Sequence, residues 1–415
     1  MDVEERPVDD RNGAVKGERA ARPKRGWRRR GVLAVAGVLA MTMSVAGCGS
    51  RASDPSGAKP TPSSSAASGG GTGRGAVSVH GAQLRRDGWP FVPRGVQIVG
   101  LVAPQAQLKG DYAKAGRHFG AAELRAAQAR HVDTIRFQVS EFALDPKDSK
   151  YTPDYLEEVQ KAVHLARGLG FTVIVSLQSE RHAGKNHRCP LPDAGAERAW
   201  SRLAPRFADD HGVMLQLYNE PIAKPVDSAA WRTWLSGGPT TGKHGRCTAV
   251  GMQRLVDNIR SQHAGNVIIV SGLNVKTTLA NAPNVNDPAD PHDPQLVYAV
   301  HYPLLTGSLK AEWDRDFGDL SASKPVMVTE WNASSGWQCN PDVPKNAQLL
   351  LDYLSAHHIG LIGFAFDHPH TIVKNWKYVP TTYDDFHCGR HYDGGPGELL
   401  FRYYAHTPAA PRSEG

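Results

Sequence analysis

The 415-residue sequence lacks the motifs of several common classes of enzyme and binding protein. It has no Gly-x-Ser-x-Gly segment, which excludes the nucleophile elbow of α/β-hydrolases, and no His-Glu-x-x-His segment, which excludes the zinc-binding helix of many metalloproteases. The glycine-rich residues 71–75 follow no strand-like run and precede no helix, which excludes a dinucleotide-binding loop. Asp287, Asp290 and Asp293 lack the spacing of a calcium-binding loop. We therefore expect neither a metal ion nor a cofactor.

The part of the chain expected to fold also lacks an excess of positive charge. Residues 1–76 hold 13 Lys/Arg and 7 Asp/Glu. The remaining 339 residues hold 35 basic and 34 acidic side chains, so the formal charge of +7 comes almost entirely from the N-terminal segment. Because a nucleic-acid-binding protein carries its basic patch on the folded domain, nucleic acid is not an expected partner.

The N-terminal segment has the pattern of an export signal. Arg28-Arg29-Arg30 precede an uncharged apolar run at residues 31–47, as in a signal peptide. This run is short for a membrane span, which needs about 20 apolar residues. It ends in Val45-Ala46-Gly47-Cys48, which resembles the lipobox of bacterial lipoproteins and implies cleavage before Cys48 and acylation of its thiol. An ordinary signal peptide is the alternative, and the export route, general secretory or twin-arginine, stays open.

Residues 48–76 are rich in Ser, Gly, Pro and Ala and poor in large apolar side chains. Such a composition cannot bury enough surface to fold, so we expect a flexible tether. The predicted organisation is a signal peptide at 1–47, a lipidated cysteine and linker at 48–76, and one folded domain at 77–415. We expect a monomer on the extracellular side of the bacterial cell membrane, lipid-anchored at Cys48 or secreted.

The cysteines also agree with export, because four remain once the lipidation site is set aside and an even number suits an oxidising compartment. They are Cys189, Cys247, Cys339 and Cys388. Of the three pairings, Cys189–Cys247 with Cys339–Cys388 is favoured, because each pair would join loops that follow neighbouring strands. The alternative is a metal site formed by Cys189, His182 and His187, but no Cys-x-x-Cys pair supports it.

From residue 77 onward strand-like and helix-like patterns alternate, which is typical of a parallel α/β architecture. Apolar runs predict strands at 96–99, 134–137, 171–177, 213–218, 267–270, 296–300, 325–329 and 361–366. Helical spacing predicts helices at 121–130, 155–169, 196–207, 252–261, 309–317, 346–357 and 399–405. Eight strands that alternate with helices predict a (β/α)8 TIM barrel. Residues 281–294 are too long for an ordinary connection and are expected to overhang the cleft.

Two of the predicted strands lead into a glutamate. Glu220 ends Leu217-Tyr218-Asn219-Glu220 at the fourth strand, and Glu330 ends Val326-Met327-Val328-Thr329-Glu330 at the seventh. Catalytic groups of a (β/α)8 barrel lie at the carboxyl ends of its strands, so the two carboxylates are expected to meet there. A pair of carboxyl groups is the minimal apparatus for breaking a glycosidic bond.

Asn219-Glu220-Pro221 and Glu330-Trp331 resemble the acid/base and nucleophile motifs of glycoside hydrolase family 5, the group of endoglucanases and β-mannanases. Residues 85–90, followed by Arg94-Gly95-Val96, resemble the opening hairpin and first strand of the same family. The resemblance spans about residues 77–405. It implies a retaining reaction with Glu220 as the acid/base and Glu330 as the nucleophile.

The resemblance also implies the surroundings of the two glutamates. Asn219 is expected to hydrogen-bond the sugar 2-hydroxyl, and Arg136 to keep Glu330 ionised. His301 is expected to line the catalytic subsite with Tyr302, although the family has the spacing His-x-Tyr. After the third strand the family usually has a histidine, and here Gln178 or His182 is expected to contact the substrate instead. After the eighth strand a tryptophan of the family is missing, and Trp331, Phe366 or Trp376 is expected to cover the sugar in its place. Phe364 and Phe366 equally suit the barrel core.

The sequence therefore predicts a retaining glycoside hydrolase that cleaves a β-1,4-linked polysaccharide, such as cellulose or a β-glucan, outside the cell. Within the enzyme class the alternative is a β-mannanase or an exo-acting β-glycosidase. A surface lipoprotein that binds polysaccharide without cleaving it is the alternative of a different class. The presence of both glutamates together with Asn219 favours an enzyme.

Overall fold

The structure is a computed structural model that describes residues 75–179, 183, 189–242, 245–274, 278–302, 310–334, 341–384 and 394–408. The predicted signal peptide and most of the tether, with Cys48, lie outside these residues, as do Cys339, Cys388, His182 and His187. In the part of the chain that is described, no helix has the length and apolar character needed to cross a membrane.

Eight parallel strands close into a barrel, which confirms the predicted (β/α)8 fold. The strands of the described residues are β1 (Val77–His80), β2 (Gln83–Arg86), β3 (Trp89–Pro90), β4 (Arg94–Ile98), β5 (Thr134–Ser140), β6 (Thr172–Gln178), β7 (Val213–Gln216), β8 (Gly238–Gly242), β9 (Gly245–Ala249), β10 (Ile268–Ser271), β11 (Leu296–His301), β12 (Val326–Trp331) and β13 (Gly360–Gly363). The barrel runs from β4 to β7 and from β10 to β13, and β13 pairs with β4 to close it. The predicted strand bounds agree with these to within about three residues, the accuracy expected of sequence patterns.

The barrel interior has an apolar half and a polar half. Inward-facing residues near the amino ends of the strands, such as Ile174 and Met214, pack with apolar residues of β1 and β2 and with Phe91. The opening antiparallel sheet β1–β3 therefore closes the bottom of the barrel. Two positions further along the same strands stand Ser176 and Gln216, both fully buried. Because side chains at i and i+2 share one face of a strand, β6 and β7 each present an apolar residue below and a polar one above.

Helices cover the outside of the barrel. Those of the described residues are α1 (Gly110–His118), α2 (Ala121–Gln128), α3 (Glu141–Leu144), α4 (Tyr155–Gly168), α5 (Ala194–Leu203), α6 (Ser228–Ser236), α7 (Met252–Ser261), α8 (Lys310–Trp313), α9 (Asp319–Ser321), α10 (Val343–Ala356) and α11 (Gly397–His406). The predicted helix at 309–317 is instead split around a π-helical segment, Asp314–Gly318. The sequence pattern does not predict α1, α3 or α6.

The expectation that residues 281–294 overhang the cleft is wrong. Asp287 is fully buried and pairs with Arg260 of α7 at 2.8 Å. The backbone N–H of Asn286 donates to the side chain of Gln253 on α7, and the Asn286 carbonyl oxygen accepts from the same side chain. Gln295 then accepts a hydrogen bond from the β1 backbone at the bottom of the barrel. The stretch therefore runs down the outer wall of the barrel between β10 and β11. A helix usually connects parallel strands at such a place, but residues 272–274 and 278–295 form no helix.

An antiparallel hairpin, β8–β9, follows α6. Its Cys247 forms a disulfide with Cys189, which confirms that predicted pairing. Cys189 is fully buried in the segment that leads from β6 to α5, so the disulfide ties the hairpin to the connection after the third barrel strand. The pairing of Cys339 with Cys388 stays a prediction.

Loss of the Arg260–Asp287 pair is expected to destabilise the domain strongly. The two side chains are 5% and 0% exposed, so Arg260→Ala would leave a buried carboxylate without its cation. Such a loss costs about 3–5 kcal/mol of unfolding free energy. Arg254→Ala on the same helix removes an exposed partner of Glu197 and should cost less than about 1 kcal/mol. Urea unfolding of both variants measures the two effects, and equal losses would contradict the buried role of Arg260.

Candidate active site

A fully buried arginine, Arg136 on β5, lies at the centre of the polar half of the barrel. Its guanidinium donates to Gln216 Oε1 at 2.7 Å, to Ser176 Oγ at 2.9 Å and to the side chain of Gln97 on β4. The Gln216 amide continues the network to β10 and β12. A guanidinium has five N–H donors and cannot be deprotonated, so its burial requires this set of acceptors.

Arg136 also contacts two residues that the sequence singles out. It donates to Asn219 Oδ1 at 2.6 Å and to Glu330 Oε2 at 3.2 Å. Gln138, two positions further along β5, lies 3.4 Å from the same two oxygen atoms. The arginine therefore places a permanent positive charge beside the Glu330 carboxylate and orients the Asn219 amide by its oxygen.

The two strand-end glutamates lie together, as the sequence predicts. One carboxylate oxygen of Glu220, one of Glu330 and a ring nitrogen of His301 are all within 4.8 Å of one another. His301 Nδ1 is 3.0 Å from Glu220 Oε1. The Glu220 side chain is 7% exposed and that of Glu330 is 22% exposed, so Glu330 is the more accessible from the cleft.

His301 and Arg136 set the charge state of Glu220. Burial acts to raise the pKa of Glu220, but the hydrogen bond with His301 and the nearby positive charge, including that of Arg136, hold this pKa below its usual range. In the free site Glu220 is therefore a carboxylate.

Three of the expected substrate contacts do not lie in this cluster. Tyr302, Trp331 and Phe366 are at most 1% exposed and belong to the apolar layer between the barrel and its helices. Tyr302 directly follows His301, and Trp331 directly follows Glu330. On β11, adjacent side chains point to opposite faces, so Tyr302 faces the helices when His301 faces the site. On β12 the register shifts between Val328 and Trp331, so Thr329 and Glu330 both face the interior and Trp331 faces the helices.

Phe364, directly after β13, lies beside the carboxyl end of β12. Its backbone N–H donates to the carbonyl oxygen of Trp331 at 2.8 Å. The Phe364 side chain is partly buried in a small cluster with Trp376, whose ring stacks on His118 at 5.0 Å between centroids. Trp376 was among the residues expected to cover the sugar, and Phe364 was expected equally as a sugar contact or as barrel core.

Two glutamines add polar groups to the site. Gln138 was not predicted from the sequence. It lies two residues after Arg136 on β5, so the two side chains share one face of the strand, and this spacing could have identified it. Gln178 ends β6, in phase with Ser176, and is 5% exposed. Its Oε1 has no hydrogen-bond partner among the described residues. A buried amide oxygen of this kind is suited to a ligand hydroxyl.

Glu220, His301 and Glu330 are, within the described ranges, the one group of His, Cys, Asp and Glu side chains close enough to hold a metal ion together. The Arg136 guanidinium, 3.2 Å from Glu330, disfavours a second cation at this position. The arrangement is better suited to proton transfer and nucleophilic attack than to metal binding.

The sequence of residues 108–369 matches the family described as Cellulase (glycosyl hydrolase family 5). This protein therefore belongs to glycosyl hydrolase family 5 and is a glycoside hydrolase. No curated protein sequence matches the chain.

Solved structures show the same fold. An endocellulase from Pyrococcus horikoshii in complex with cellotetraose is similar with a TM-score of 0.57 and 17% identity, over 79% of this chain and 98% of that one. The catalytic domain of a Thermobifida fusca endoglucanase, also in complex with cellotetraose, has a TM-score of 0.52 and 16% identity, over 80% and 98% of the two chains.

A buried carboxyl pair fixes the backbone next to the site. Asp367 is 1% exposed and accepts from the backbone N–H groups of Val99 at 2.9 Å and Gly100 at 2.7 Å, just after the first barrel strand. Burial raises the pKa of Asp367 to about 7 in spite of these hydrogen bonds. Burial, and then the charge of Asp367, also raise the pKa of Glu123 on α2 well above its usual range.

Asp367→Asn is expected to change the pH dependence of stability. An unfolded Asp has a pKa of about 3.9, so between about pH 4 and 7 the folded protein keeps a proton that the unfolded chain has released. The contribution of Asp367 to the unfolding free energy therefore falls as pH rises through this window. Asn does not titrate, and its amide oxygen can still accept from Val99 and Gly100. In thermal unfolding from pH 4 to 7.5, the Tm of the unchanged protein relative to that of Asp367→Asn should fall as pH rises. A Tm difference that stays constant with pH would contradict this assignment.

Proposed function

We propose that the protein is a retaining glycoside hydrolase that cleaves a β-1,4-linked polysaccharide by a two-glutamate double displacement. The observation that carries this proposal is the close approach of Glu220 and Glu330, whose carboxylate oxygens come within 4.8 Å. Retaining enzymes separate their carboxyl groups by about 5–5.5 Å, whereas inverting enzymes need about 6.5–9.5 Å to admit a water molecule. The separation in this protein supports direct attack by one glutamate.

Glu330 is the proposed nucleophile. Its carboxylate must be ionised to attack the anomeric carbon, and the neighbouring Arg136 cation favours that form. A bond forms between a Glu330 oxygen and the anomeric carbon while the bond to the leaving oxygen breaks, and water later hydrolyses the glycosyl ester. Asn219, oriented by Arg136, is positioned to hydrogen-bond the sugar 2-hydroxyl, a contact that strengthens in the transition state.

Glu220 is the proposed acid/base, with His301 as its proton partner. In the free site the pKa of Glu220 lies below its usual range, and His301, with its Nδ1 3.0 Å from Glu220 Oε1, is the proposed source of the proton. A sugar that fills the cleft removes water, and desolvation disfavours an ion pair relative to a neutral carboxyl beside a neutral imidazole. The proton then lies on Glu220, from which it passes to the leaving oxygen.

A β-1,4-glucan is the proposed substrate. Support comes from the family and from the two similar structures, an endocellulase and an endoglucanase with cellotetraose bound. Gln178 supplies a polar contact for a sugar hydroxyl, and Phe364 with Trp376 supplies apolar rings near the β12 end of the cleft. Release of sugars from a panel of β-glucans and β-mannans separates the glucanase from the mannanase and exo-acting alternatives.

Substitution of the two glutamates should have different effects on different substrates. Glu330→Gln should abolish turnover of both polysaccharide and an activated aryl β-cellobioside, because the glutamine amide cannot form the glycosyl ester with either substrate. Glu220→Gln should lower polysaccharide turnover by about 10²–10⁴-fold, the usual contribution of a general acid. The first step on the aryl substrate should be affected less, because an aryl leaving group departs without protonation. Steady-state and burst kinetics of both substrates measure these effects.

The matched control is Glu157→Gln on α4, where the side chain is 67% exposed, and its kinetics should equal those of the unchanged protein. Retention of full activity by Glu330→Gln would overturn the proposed mechanism. Binding of polysaccharide without product release, unaltered by either active-site substitution, would instead support a non-catalytic binding protein.

We also propose that the protein is exported and anchored to the outer side of the bacterial cell membrane through Cys48. The signal peptide 1–47, the lipobox-like residues 45–48 and the linker composition of residues 48–76 support this proposal. The Cys189–Cys247 disulfide is in accord with an oxidising compartment. The tether would let the domain reach polysaccharide beyond the membrane surface.

Cys48→Ser should prevent incorporation of labelled palmitate and move the protein from the membrane fraction to the medium or a soluble fraction. The reason is that a serine at this position removes the thiol that is acylated. Ser50→Ala, two residues further along, should leave both labelling and membrane association unchanged. Membrane association of Cys48→Ser equal to that of the unchanged protein would contradict the anchor.

A further inference from the structure

Every N–H group of the buried Arg136 guanidinium has an acceptor. A guanidinium has five N–H donors, one on Nε and two on each Nη. In this structure Nε donates once, and Nη1 and Nη2 donate twice each. The acceptors are the uncharged side chains of Gln97, Ser176, Asn219 and Gln216 and the carboxylate of Glu330. Glu330 is therefore the one charged acceptor of a cation that is fully buried.

The neighbours of Gln216 fix which end of its amide faces Arg136. Gln216 Nε2 donates to Ser271 Oγ at 2.9 Å and to Thr329 Oγ1 at 3.1 Å. Ser271 Oγ itself donates to the carbonyl oxygen of Tyr218 at 2.6 Å, so it accepts from Gln216. The amide oxygen of Gln216 is thus turned towards Arg136 Nε at 2.7 Å, and it supplies a hydrogen bond without a negative charge.

The charge beside Arg136 changes during the proposed reaction. In the first step a Glu330 oxygen bonds to the anomeric carbon, and the leaving oxygen departs with the bonding electron pair and takes the proton of Glu220. Glu330 is then an uncharged ester, and the negative charge lies on Glu220, which is not among the five acceptors of Arg136. Arg136 is left as a buried cation whose hydrogen-bond acceptors are all uncharged. Because a buried charge without its partner is costly, this arrangement destabilises the glycosyl-enzyme.

We propose that Gln97 and Gln216, because they are uncharged, shorten the lifetime of the glycosyl-enzyme, an inference that rests on the proposed function. In the second step Glu220 takes a proton from water, the water oxygen bonds to the anomeric carbon, and the ester bond breaks with its electron pair on Glu330. The Glu330 carboxylate re-forms beside Arg136, so the cation assists its departure from the sugar. The two glutamines act through Arg136 and are positioning residues.

The test is to give Arg136 a second carboxylate that persists through the reaction, by Gln216→Glu or by Gln97→Glu. The probe is 2,4-dinitrophenyl 2-deoxy-2-fluoro-β-cellobioside. Its fluorine slows both steps and its aryl group departs without protonation, so the glycosyl-enzyme accumulates and is measured by intact-protein mass spectrometry. Hydrolysis of the isolated glycosyl-enzyme should be slower by about tenfold or more in each variant, because Arg136 keeps a charged partner without Glu330. Formation of the glycosyl-enzyme should be as fast as in the unchanged protein or faster, because Arg136 then holds Glu330 less strongly.

The matched control is Gln83→Glu, which adds the same charge at an exposed position on β2, and both of its rates should equal those of the unchanged protein. Damage to the site would slow formation and hydrolysis together, so only a charge effect slows hydrolysis alone. Unchanged hydrolysis in both Gln216→Glu and Gln97→Glu, or an equal loss of both rates, would overturn this inference alone. Failure of both variants to fold, seen by circular dichroism, would also overturn it, because Arg136 could then not accept a second carboxylate.

The unchanged protein tests the proposed function in the same experiment. A glycosyl-enzyme of the expected mass supports the double displacement, whatever the variants show. If none forms and no 2,4-dinitrophenol is released, the proposed retaining mechanism fails, and the inference about Gln97 and Gln216 fails with it.

Discussion

The catalytic end of the barrel depends on the burial of one cation, the guanidinium of Arg136. Removing a permanent charge from water is costly, and the cost is offset only when each donor is paired in good geometry. Gln97, Ser176 and Gln216 supply uncharged acceptors from three other strands, and Glu330 supplies the negative charge. The upper barrel interior is therefore lined by polar side chains because this arginine lies below the cleft and needs them as acceptors.

The two glutamates have unequal cationic partners, and this inequality separates their roles. Two carboxylates within 4.8 Å repel each other, and each is offset by its own neighbour, Arg136 beside Glu330 and His301 beside Glu220. Arginine keeps its proton at any physiological pH, whereas histidine exchanges its proton near neutrality. In the proposed mechanism Glu330 therefore lies beside a permanent cation, while Glu220 lies beside a group that can supply a proton.

Much of the barrel and the centre of the site could be predicted, because both depend on short-range regularities. Apolar runs that alternate with helical spacing gave eight strands, and the strand-end rule brought Glu220 and Glu330 together. The period of two would also have assigned Tyr302 to the helix layer, since it adjoins His301, and would have added Gln138. The family resemblance suggested Tyr302 as a sugar contact, but its side chain is buried on the helix-facing side of the strand.

The remaining features depend on contacts between distant parts of the chain, which no local pattern encodes. Residues 281–294 replace a helix because buried Arg260 and Asp287 hold them against α7, and the Gly- and Thr-rich β8–β9 hairpin is positioned by a disulfide to a segment 58 residues earlier. Such connections vary while the strands persist, and loops of this kind carry specificity. Substrate preference can therefore change through such connections while the network around the buried arginine stays the same.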